Sequence, residues 1–423
     1  MSWTLAALPV GLFLLGFPIY VVLLAGAAAT LFGFMSVPPI VLHQMMFGGV
    51  ASYALLAVPF FIFAGDLMVR GGLADRLTAW VLALVGPARG SLGMTVVGTS
   101  TLLGAISGSS PATVATTGQI LYRDMLGAGY GERFSLGLIT SAGSIAIVVP
   151  PSIAMILYGA ASEQSIPKLF IAGVIPGLLL AAASAGYVFW WARRRELREG
   201  KAHSWAGFAH ATRRASVALV LPLIVLGGIY LGWFSPTEAG GIACVYAIAV
   251  SMLVFRSLSW RQLLEAAAQS AMLTAQVLII VASASVFSWV LTVQGVPQAL
   301  LQGIAALDLS ATQFLLVVNA FLLLLGCVLD PTSAILVLTP MLMPIVQHLG
   351  IDPVHFGVIM TVNLSIGMFT PPFGLNIFVA QSVISPDLAA IYRGVAPFFV
   401  VQVLALGAIT FVPQLSLWLT RAM

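Results

Sequence analysis

Two short polar stretches interrupt apolar sequence and carry side chains that could bind ions. The first is residues 107–111, Ser-Gly-Ser-Ser-Pro, and the second is residues 330–333, Asp-Pro-Thr-Ser. Hydroxyl, carboxylate and carbonyl oxygens are hard ligands, which suit Na⁺. Ser or Asp followed by Pro is also typical of a helix start, whose free N–H groups bind anions. These stretches could therefore hold a cation and an anion without many charged side chains.

A second pattern is a repeated double proline. The order Ser-Ile, four residues, Pro-Pro occurs at residues 144–151 and again at residues 365–372, an offset of 221 (365 − 144). Two further anchors keep that offset: Thr140 with Thr361, and Gly173 with Gly394. A constant offset across several anchors predicts a duplicated unit with one broken helix in each copy.

The breaks matter because of their backbone hydrogen bonds. Proline lacks an N–H donor and disfavours helix in the residue before it. Such an interruption cannot face lipid and must be buried in protein or line a wet cavity. Proline kinks in ordinary spans are the alternative, but matched breaks in two halves are typical of a transporter's binding site.

Composition determines the class of protein. The chain has 423 residues, of which 60% are hydrophobic and 7% charged, against about 25% charged in soluble proteins. At about 20 residues per span, we expect an all-α polytopic membrane protein with a dozen or so crossings, the first within Met1–Val22, with no cleaved signal peptide. The net charge of +4 does not indicate nucleic-acid binding, and Cys244 and Cys327 lie in apolar stretches with no disulfide or metal-site spacing.

The pattern of breaks predicts an inverted repeat with two re-entrant hairpins and two broken helices. We divide the chain into N-terminal scaffold helices (1–89), a first hairpin, broken helix and closing helix (90–191), a connecting region (192–308) and a second set with the C-terminal helix (309–423). Within the first region, residues 39–68 are expected to form one span.

The connecting region begins with a basic loop, which the positive-inside rule places in the cytoplasm. Its basic residues are Arg193, Arg194, Arg195, Arg198, Lys201, Arg213 and Arg214. Ser-Trp pairs at residues 204–205 and 259–260 precede the spans at 215–233 and 272–293. They predict either amphipathic helices at the membrane interface or simple connecting helices. Ser235 and Glu238 have the spacing of a capping box.

The expected site combines the four breaks near the middle of the membrane. We expect substrate to bind at the helix starts and at one side-chain amide, that of Asn376. The predicted residues are Ser109, Ser110, Pro111, Pro151, Ser152, Thr332, Ser333, Pro372 and Asn376. Oxygen ligands for Na⁺ would come from Ser107, Gly108, Ser109, Ser144, Gly326, Asp330, Thr332, Gly367 and Thr370. Asp330 has two interpretations, because an intramembrane carboxylate is a functional candidate and Asp before Pro is an ordinary N-cap.

The chain resembles the large membrane subunit of tripartite ATP-independent periplasmic (TRAP) transporters along nearly its whole length. The resemblance rests on residues 103–113 (LGAISGSSPAT), 150–152 (PPS), 235–240 (SPTEAG), 330–332 (DPT) and 370–376 (TPPFGLN).

The resemblance implies a Na⁺-coupled importer of organic anions such as C4-dicarboxylates or sialic acid in the bacterial inner membrane. It implies a mobile transport domain carried past a static scaffold, called an elevator, and Na⁺ sites at the hairpin tips and broken helices. It also implies two partners, a separate small four-helix membrane subunit and a soluble periplasmic binding protein, and no cofactor other than the coupling Na⁺.

Three other functions are compatible with some of these residues. A stand-alone divalent-anion/Na⁺ symporter would transport without partners, and a passive channel would not need paired breaks. An intramembrane hydrolase using Ser107 would need a base within hydrogen-bond reach, and none of the five histidines lies in the broken helices as the sequence predicts them, residues 132–159 and 356–382. We therefore expect a transporter and not an enzyme.

Overall fold

The computed structural model describes residues 2–35, 37–197, 204–384 and 387–422, and every regular element within them is a helix. The basic-loop residues Arg198 and Lys201 lie outside the described residues. The N-terminal region has five helices: α1 (Ser2–Leu14), α2 (Ile19–Phe34), α3 (Ile40–Val50), α4 (Ala57–Arg70) and α5 (Leu73–Val85).

The single span expected over residues 39–68 is wrong. The helix ends at Val50, a short 3₁₀ turn covers Tyr53–Leu56, and α4 begins at Ala57. Gly48 and Gly49 weaken the end of α3, since glycine is a poor helix former. Pro59 lies in the first turn of α4, where its missing N–H leaves no hydrogen bond unmade.

The first repeat contains the expected hairpin, broken helix and closing helix. Its elements are α6 (Ser91–Ser107), α7 (Ser110–Gly127), α8 (Glu132–Ala142), α9 (Ile145–Val148), α10 (Ile153–Ser162) and α11 (Ile166–Arg194). The helix bends by 42° between α9 and α10 at the first double proline. The bond between Pro150 and Pro151 is cis, as is the bond between Pro371 and Pro372.

The connecting region forms long helices: α12 (Trp205–Tyr230), α13 (Pro236–Ala249), α14 (Trp260–Val293) and α15 (Val296–Ala306). The capping box of Ser235 and Glu238 is confirmed at the start of α13. The Ser-Trp segments are not separate helices, because α12 and α14 continue without a break into the apolar spans. Sequences such as Ala266-Ala267-Ala268 favour continuation of a helix and contain no breaker.

The second repeat has the same order: α16 (Ala311–Gly326), α17 (Pro331–His348), α18 (Pro353–Gly367), α19 (Leu375–Ile384) and α20 (Leu388–Phe411), followed by the short α21 (Gln414–Leu417). Residues 368–374 are not helical and form the second break.

The two repeats pack against each other through equivalent pairs of helices. The closing helix α20 of the second repeat packs against the broken helix α8 of the first, and α11 packs against α18 in the same way. After the breaks, α19 packs against the hairpin helix α7 and α10 against α17. This reciprocal arrangement means that neither repeat could bury its broken helix alone.

Six described helices are long and apolar enough to cross a membrane, and the bent pair Glu132–Val148 with Ile153–Ser162 makes a seventh candidate. Six further apolar helices have 10–17 residues. The number is smaller than the dozen expected from composition, because the breaks divide the apolar sequence into pieces shorter than a full span.

Candidate functional site

One cavity of about 560 Å³ brings together all four interruptions of the helices. Both hairpin tips line it, as do Ile153 after the first break and Met368 and Leu375 at the second. Of the residues predicted to bind substrate or Na⁺, those that line the cavity are Ser107, Gly108, Ser109, Ser110, Pro111, Asp330 and Thr332. Breaks that are distant in sequence therefore share one cavity.

The first hairpin tip is a tight turn between α6 and α7. Gly108 has a φ of +57°, which glycine adopts without the penalty that a side chain would bring. A Cβ at Gly108 would lie 2.8 Å from the carbonyl oxygen of Pro151, so the tip rests directly on the first double proline. Ser109 caps α7 by accepting a hydrogen bond from the N–H of Ala112 at 3.4 Å.

The second tip is organised by Asp330. Its carboxylate accepts hydrogen bonds from the N–H of Ser333 at 3.1 Å and from the hydroxyl of Ser333 at 2.5 Å. The N-cap interpretation of Asp330 is therefore confirmed. Asp330 also lines the cavity, so its carboxylate can cap α17 and still reach an ion in the cavity. Its role in binding Na⁺ stays a prediction.

Asn376 lies behind the cavity. It is fully buried, and its amide nitrogen donates hydrogen bonds to the Ser110 hydroxyl at 2.7 Å and to the Thr140 carbonyl at 3.2 Å. Ser110 also lies 2.9 Å from the amide oxygen. In this conformation, Asn376 joins the first hairpin to the second broken helix and presents no atom to the cavity.

The other predicted residues do not line this cavity. They are Pro151, Ser152, Ser333, Pro372, Ser144, Gly326, Gly367 and Thr370. Ser152 caps α10 through the N–H of Met155, and the buried hydroxyl of Ser144 lies 2.6 Å from the Ser141 carbonyl. The hydroxyl of Thr370 donates to the Ile366 carbonyl at 2.8 Å. Their roles in binding stay predictions.

The opposite wall of the cavity comes from α4 and α14, which sequence reasoning did not include. Asp66 of α4 and Gln276 of α14 line it, together with Gln119 of α7. Asp66 forms an ion pair with Arg70 at 2.9 Å. A carboxylate within an apolar helix is a signal that could have identified Asp66, whereas a lone glutamine in a long helix carries no such signal.

The described lining of the cavity contains two carboxylates and no cationic side chain. Asp66 is paired with Arg70, whereas Asp330 forms no ion pair among the described residues. Attraction for an anion must therefore come from the starts of helices at the tips and breaks, where N–H groups are unpaired. Ser107 has no imidazole base beside it in the described lining, so the arrangement lacks the nucleophile–base pair of a hydrolase.

Comparison with known proteins agrees with this architecture. Residues 6–415 match the model of the family described as tripartite ATP-independent periplasmic transporter, DctM component. The C4-dicarboxylate TRAP transporter large permease of Pseudomonas aeruginosa is 42% identical over 86% of this chain and 86% of its own length. The ectoine/5-hydroxyectoine TRAP transporter large permease of Ruegeria pomeroyi is 41% identical, covering 99% of this chain and 98% of its own.

Among solved structures, the YdaH transporter of Alcanivorax borkumensis has the same fold. It superposes with a TM-score of 0.65 over 98% of this chain and 99% of its own, at 16% sequence identity. The relatives are permeases and not enzymes. The two interrupted repeats, their shared cavity and the match along nearly the whole chain lead to one assignment: this multi-pass inner-membrane protein belongs to the DctM component family, the large permeases of TRAP transporters.

Proposed function

We propose that this permease imports an organic carboxylate together with Na⁺. The observation that carries the proposal is the single cavity lined by both hairpin tips and both helix breaks. Relatives are named for C4-dicarboxylates and for ectoine and 5-hydroxyectoine, all of which carry at least one carboxylate. Another relative is named for isethionate, a sulfonate. The proposed substrate is a small carboxylate, held by the helix starts at Ser110, Ile153, Pro331 and Leu375.

The charges of the cavity give a physical reason for coupling to Na⁺. An organic anion entering the cavity without Na⁺ would meet the carboxylate of Asp330, which forms no ion pair among the described residues, whereas Asp66 is already paired with Arg70. Na⁺ bound at Asp330, Ser107 or Thr332 would reduce that repulsion, so each ligand would raise the affinity for the other. Such reciprocal coupling is what a symporter needs.

We propose an elevator mechanism, which the division of the cavity between two sets of helices supports. Its repeat side belongs to hairpins and broken helices that pack reciprocally, and its opposite wall belongs to α4 and α14. If the repeats move past these two helices as one body, the substrate is exposed first on one side of the membrane and then on the other. The inverted orientation of the two repeats would supply the two states.

The central experiment is uptake by proteoliposomes that contain this chain and the small four-helix membrane subunit, with a periplasmic binding protein outside. A panel of radiolabelled dicarboxylates and monocarboxylates is offered with an inward Na⁺ gradient, and then with K⁺ replacing Na⁺. We expect uptake only with Na⁺ and both partners. Uptake that is equal in K⁺ contradicts the coupling, and Na⁺-driven uptake by this chain alone identifies a stand-alone symporter.

Movement of the repeats is tested separately by labelling a single cysteine at Thr332. The background replaces the buried Cys244 and Cys327 with Ala. A membrane-impermeant thiol reagent is added to either side of sealed vesicles, with and without Na⁺ and substrate. An elevator predicts labelling from both sides with a ratio that changes with the ligands. Labelling from one side under every condition contradicts it.

A further inference from the structure

A second cavity, of about 450 Å³, lies outside the transport site, where α8 begins and α11 ends. Its described lining contains three arginines, Arg133, Arg195 and Arg393, and one carboxylate, Glu132. Neither Arg133 nor Arg195 nor Arg393 has a carboxylate within 4 Å among the described residues. We refer to these three side chains and their cavity as the arginine cleft.

The backbone of the arginine cleft adds to its positive potential. Gly131 precedes α8 with a φ of +76°, and no side chain caps the start of this 11-residue helix. Gly131, Glu132 and Arg133 all line the cleft. Unpaired N–H groups at a helix start attract anions. Three arginine residues and an uncapped helix start thus line one cavity.

The other wall of the arginine cleft is aromatic. Phe134 stacks on Trp191 with ring centroids 3.7 Å apart, and Tyr187 packs edge-on against Phe398. The guanidinium carbon of Arg195 lies 5.2 Å from the centre of the Trp191 ring. These rings pack against one another and form a continuous aromatic wall.

The position of the arginine cleft indicates the source of the anion. Tyr187 and Trp191 lie in the last turns of the candidate span Ile166–Arg194, and Arg393 lies near the start of the span Leu388–Phe411. Tryptophan and tyrosine at the end of a span mark the depth of lipid headgroups. The run of arginines at 193–195 assigns this end to the cytoplasm, and basic pockets between helices on that side suit anionic headgroups.

We propose that the arginine cleft binds the phosphodiester group of an anionic phospholipid from the cytoplasmic leaflet. Arg133, Arg195 and Arg393 donate to the phosphate oxygens, a geometry for which guanidinium is well suited. The apolar rim at Pro397 and Tyr187 accepts the first part of the acyl chains. Because α8 and α11 belong to the first repeat and α20 to the second, a bound lipid contacts both repeats at once.

The experiment measures lipid binding and thermal stability of the purified chain in detergent. The probes are phosphatidylglycerol, phosphatidylcholine and inorganic phosphate. The test variant is Arg133→Gln/Arg393→Gln, and the control Arg123→Gln/Arg261→Gln removes the same charge from exposed sites elsewhere. Native mass spectrometry counts retained lipid, and size-exclusion chromatography checks folding.

We expect retained phosphatidylglycerol and a higher melting temperature with phosphatidylglycerol than with phosphatidylcholine, both in the unmodified chain and in the control. We expect the affinity of the test variant for phosphatidylglycerol to fall at least tenfold, about 1.4 kcal/mol. Its melting temperature should be the same in phosphatidylglycerol and in phosphatidylcholine. Equal retention in both variants overturns the proposal. If inorganic phosphate raises the melting temperature of the unmodified chain as much as phosphatidylglycerol does, and does not raise that of the test variant, the occupant is a soluble phosphate and the lipid assignment is wrong.

The variant Arg133→Lys/Arg393→Lys keeps the charge and serves if the glutamine variant does not fold. It removes the bidentate donors while retaining the cations. We expect weakened but measurable phosphatidylglycerol binding, and binding equal to that of the unmodified chain contradicts the role of the guanidinium groups.

Discussion

Gly326 and Gly367 lie backbone to backbone where the second hairpin crosses the second broken helix. A Cβ built on Gly367 would lie 2.5 Å from both the Cα and the carbonyl carbon of Gly326. The first repeat has the same crossing, since a Cβ on Gly104 would lie 2.5 Å from the Cα of Ala146. The offsets of these pairs, 222 (326 − 104) and 221 (367 − 146), agree with the repeat. Each hairpin is therefore held against the broken helix of its own repeat by backbone contact.

The first prediction concerns this crossing. Gly367→Ala places a methyl group against backbone atoms that cannot rotate away, so we expect a destabilisation of about 1–3 kcal/mol and a lower melting temperature in detergent. The control is Gly407→Ala in α20, where a Cβ meets no atom within 4 Å and better helix propensity adds up to about 1 kcal/mol. Equal melting temperatures for the two variants would contradict the close packing.

The second prediction separates the two roles of Asp330. Asparagine keeps the ability to cap a helix but removes the charge. Asp330→Asn is therefore expected to fold normally and to raise the Na⁺ concentration for half-maximal uptake by roughly tenfold or more, about 1.4 kcal/mol of coupling. Asp352→Asn is the matched control, because Asp352 also precedes Pro and caps a helix but lies outside the cavity. Unchanged Na⁺ dependence at full activity would exclude Asp330 from the ion site.

The third prediction concerns the first hairpin tip. Ser109→Asp preserves an N-cap of similar strength while placing a negative charge in the cavity, so we expect folded protein whose uptake falls at least tenfold. Ser204→Asp makes the same change at the exposed cap of α12 and should transport normally. Both are compared by initial uptake rate per folded molecule, and normal uptake by the Ser109 variant would refute the assignment of the hairpin.

The fourth prediction concerns the buried contact between Asn376 and Ser110. Asn376→Ala leaves the Ser110 hydroxyl and the Thr140 carbonyl without their partner, which costs about 1–3 kcal/mol. Adding Ser110→Ala should cost less than the sum of the single changes, with a coupling of about 1 kcal/mol or more. Unfolding followed by tryptophan fluorescence measures each variant, and Ser382→Ala, on an exposed hydroxyl of α19, is the control.

An additive result for Asn376 and Ser110 would show that the hydrogen bonds between them do not stabilise the fold. If Asn376→Ala instead reduced substrate affinity while leaving stability unchanged, Asn376 would contact substrate in another state of the transporter. The stability and affinity measurements therefore distinguish the structural role from the substrate-binding role that the sequence predicts.

Some features followed from sequence because their causes act within a few residues. Proline interrupts its own turn, glycine permits a positive φ, and Ser or Asp caps the helix that follows it. The sequence therefore predicted correctly where α7, α13 and α17 begin and where both double-proline breaks lie. The expected span over residues 39–68 was wrong because weak breakers, Gly48 and Gly49, end a helix only when packing also favours the break.

The amino-acid sequence alone determined the membrane class, the duplication and the positions of the breaks, since composition and local backbone chemistry are sufficient for these. Only the tertiary structure decided that the four breaks share one cavity, that α4 and α14 close it with Asp66 and Gln276, and that Asn376 bonds to Ser110. It also brought Arg133 and Arg393 into one cleft. The hydrogen bond between Ser110 and Asn376 alone joins residues 266 positions apart. Such contacts depend on the summed packing of many helices, which no local pattern encodes.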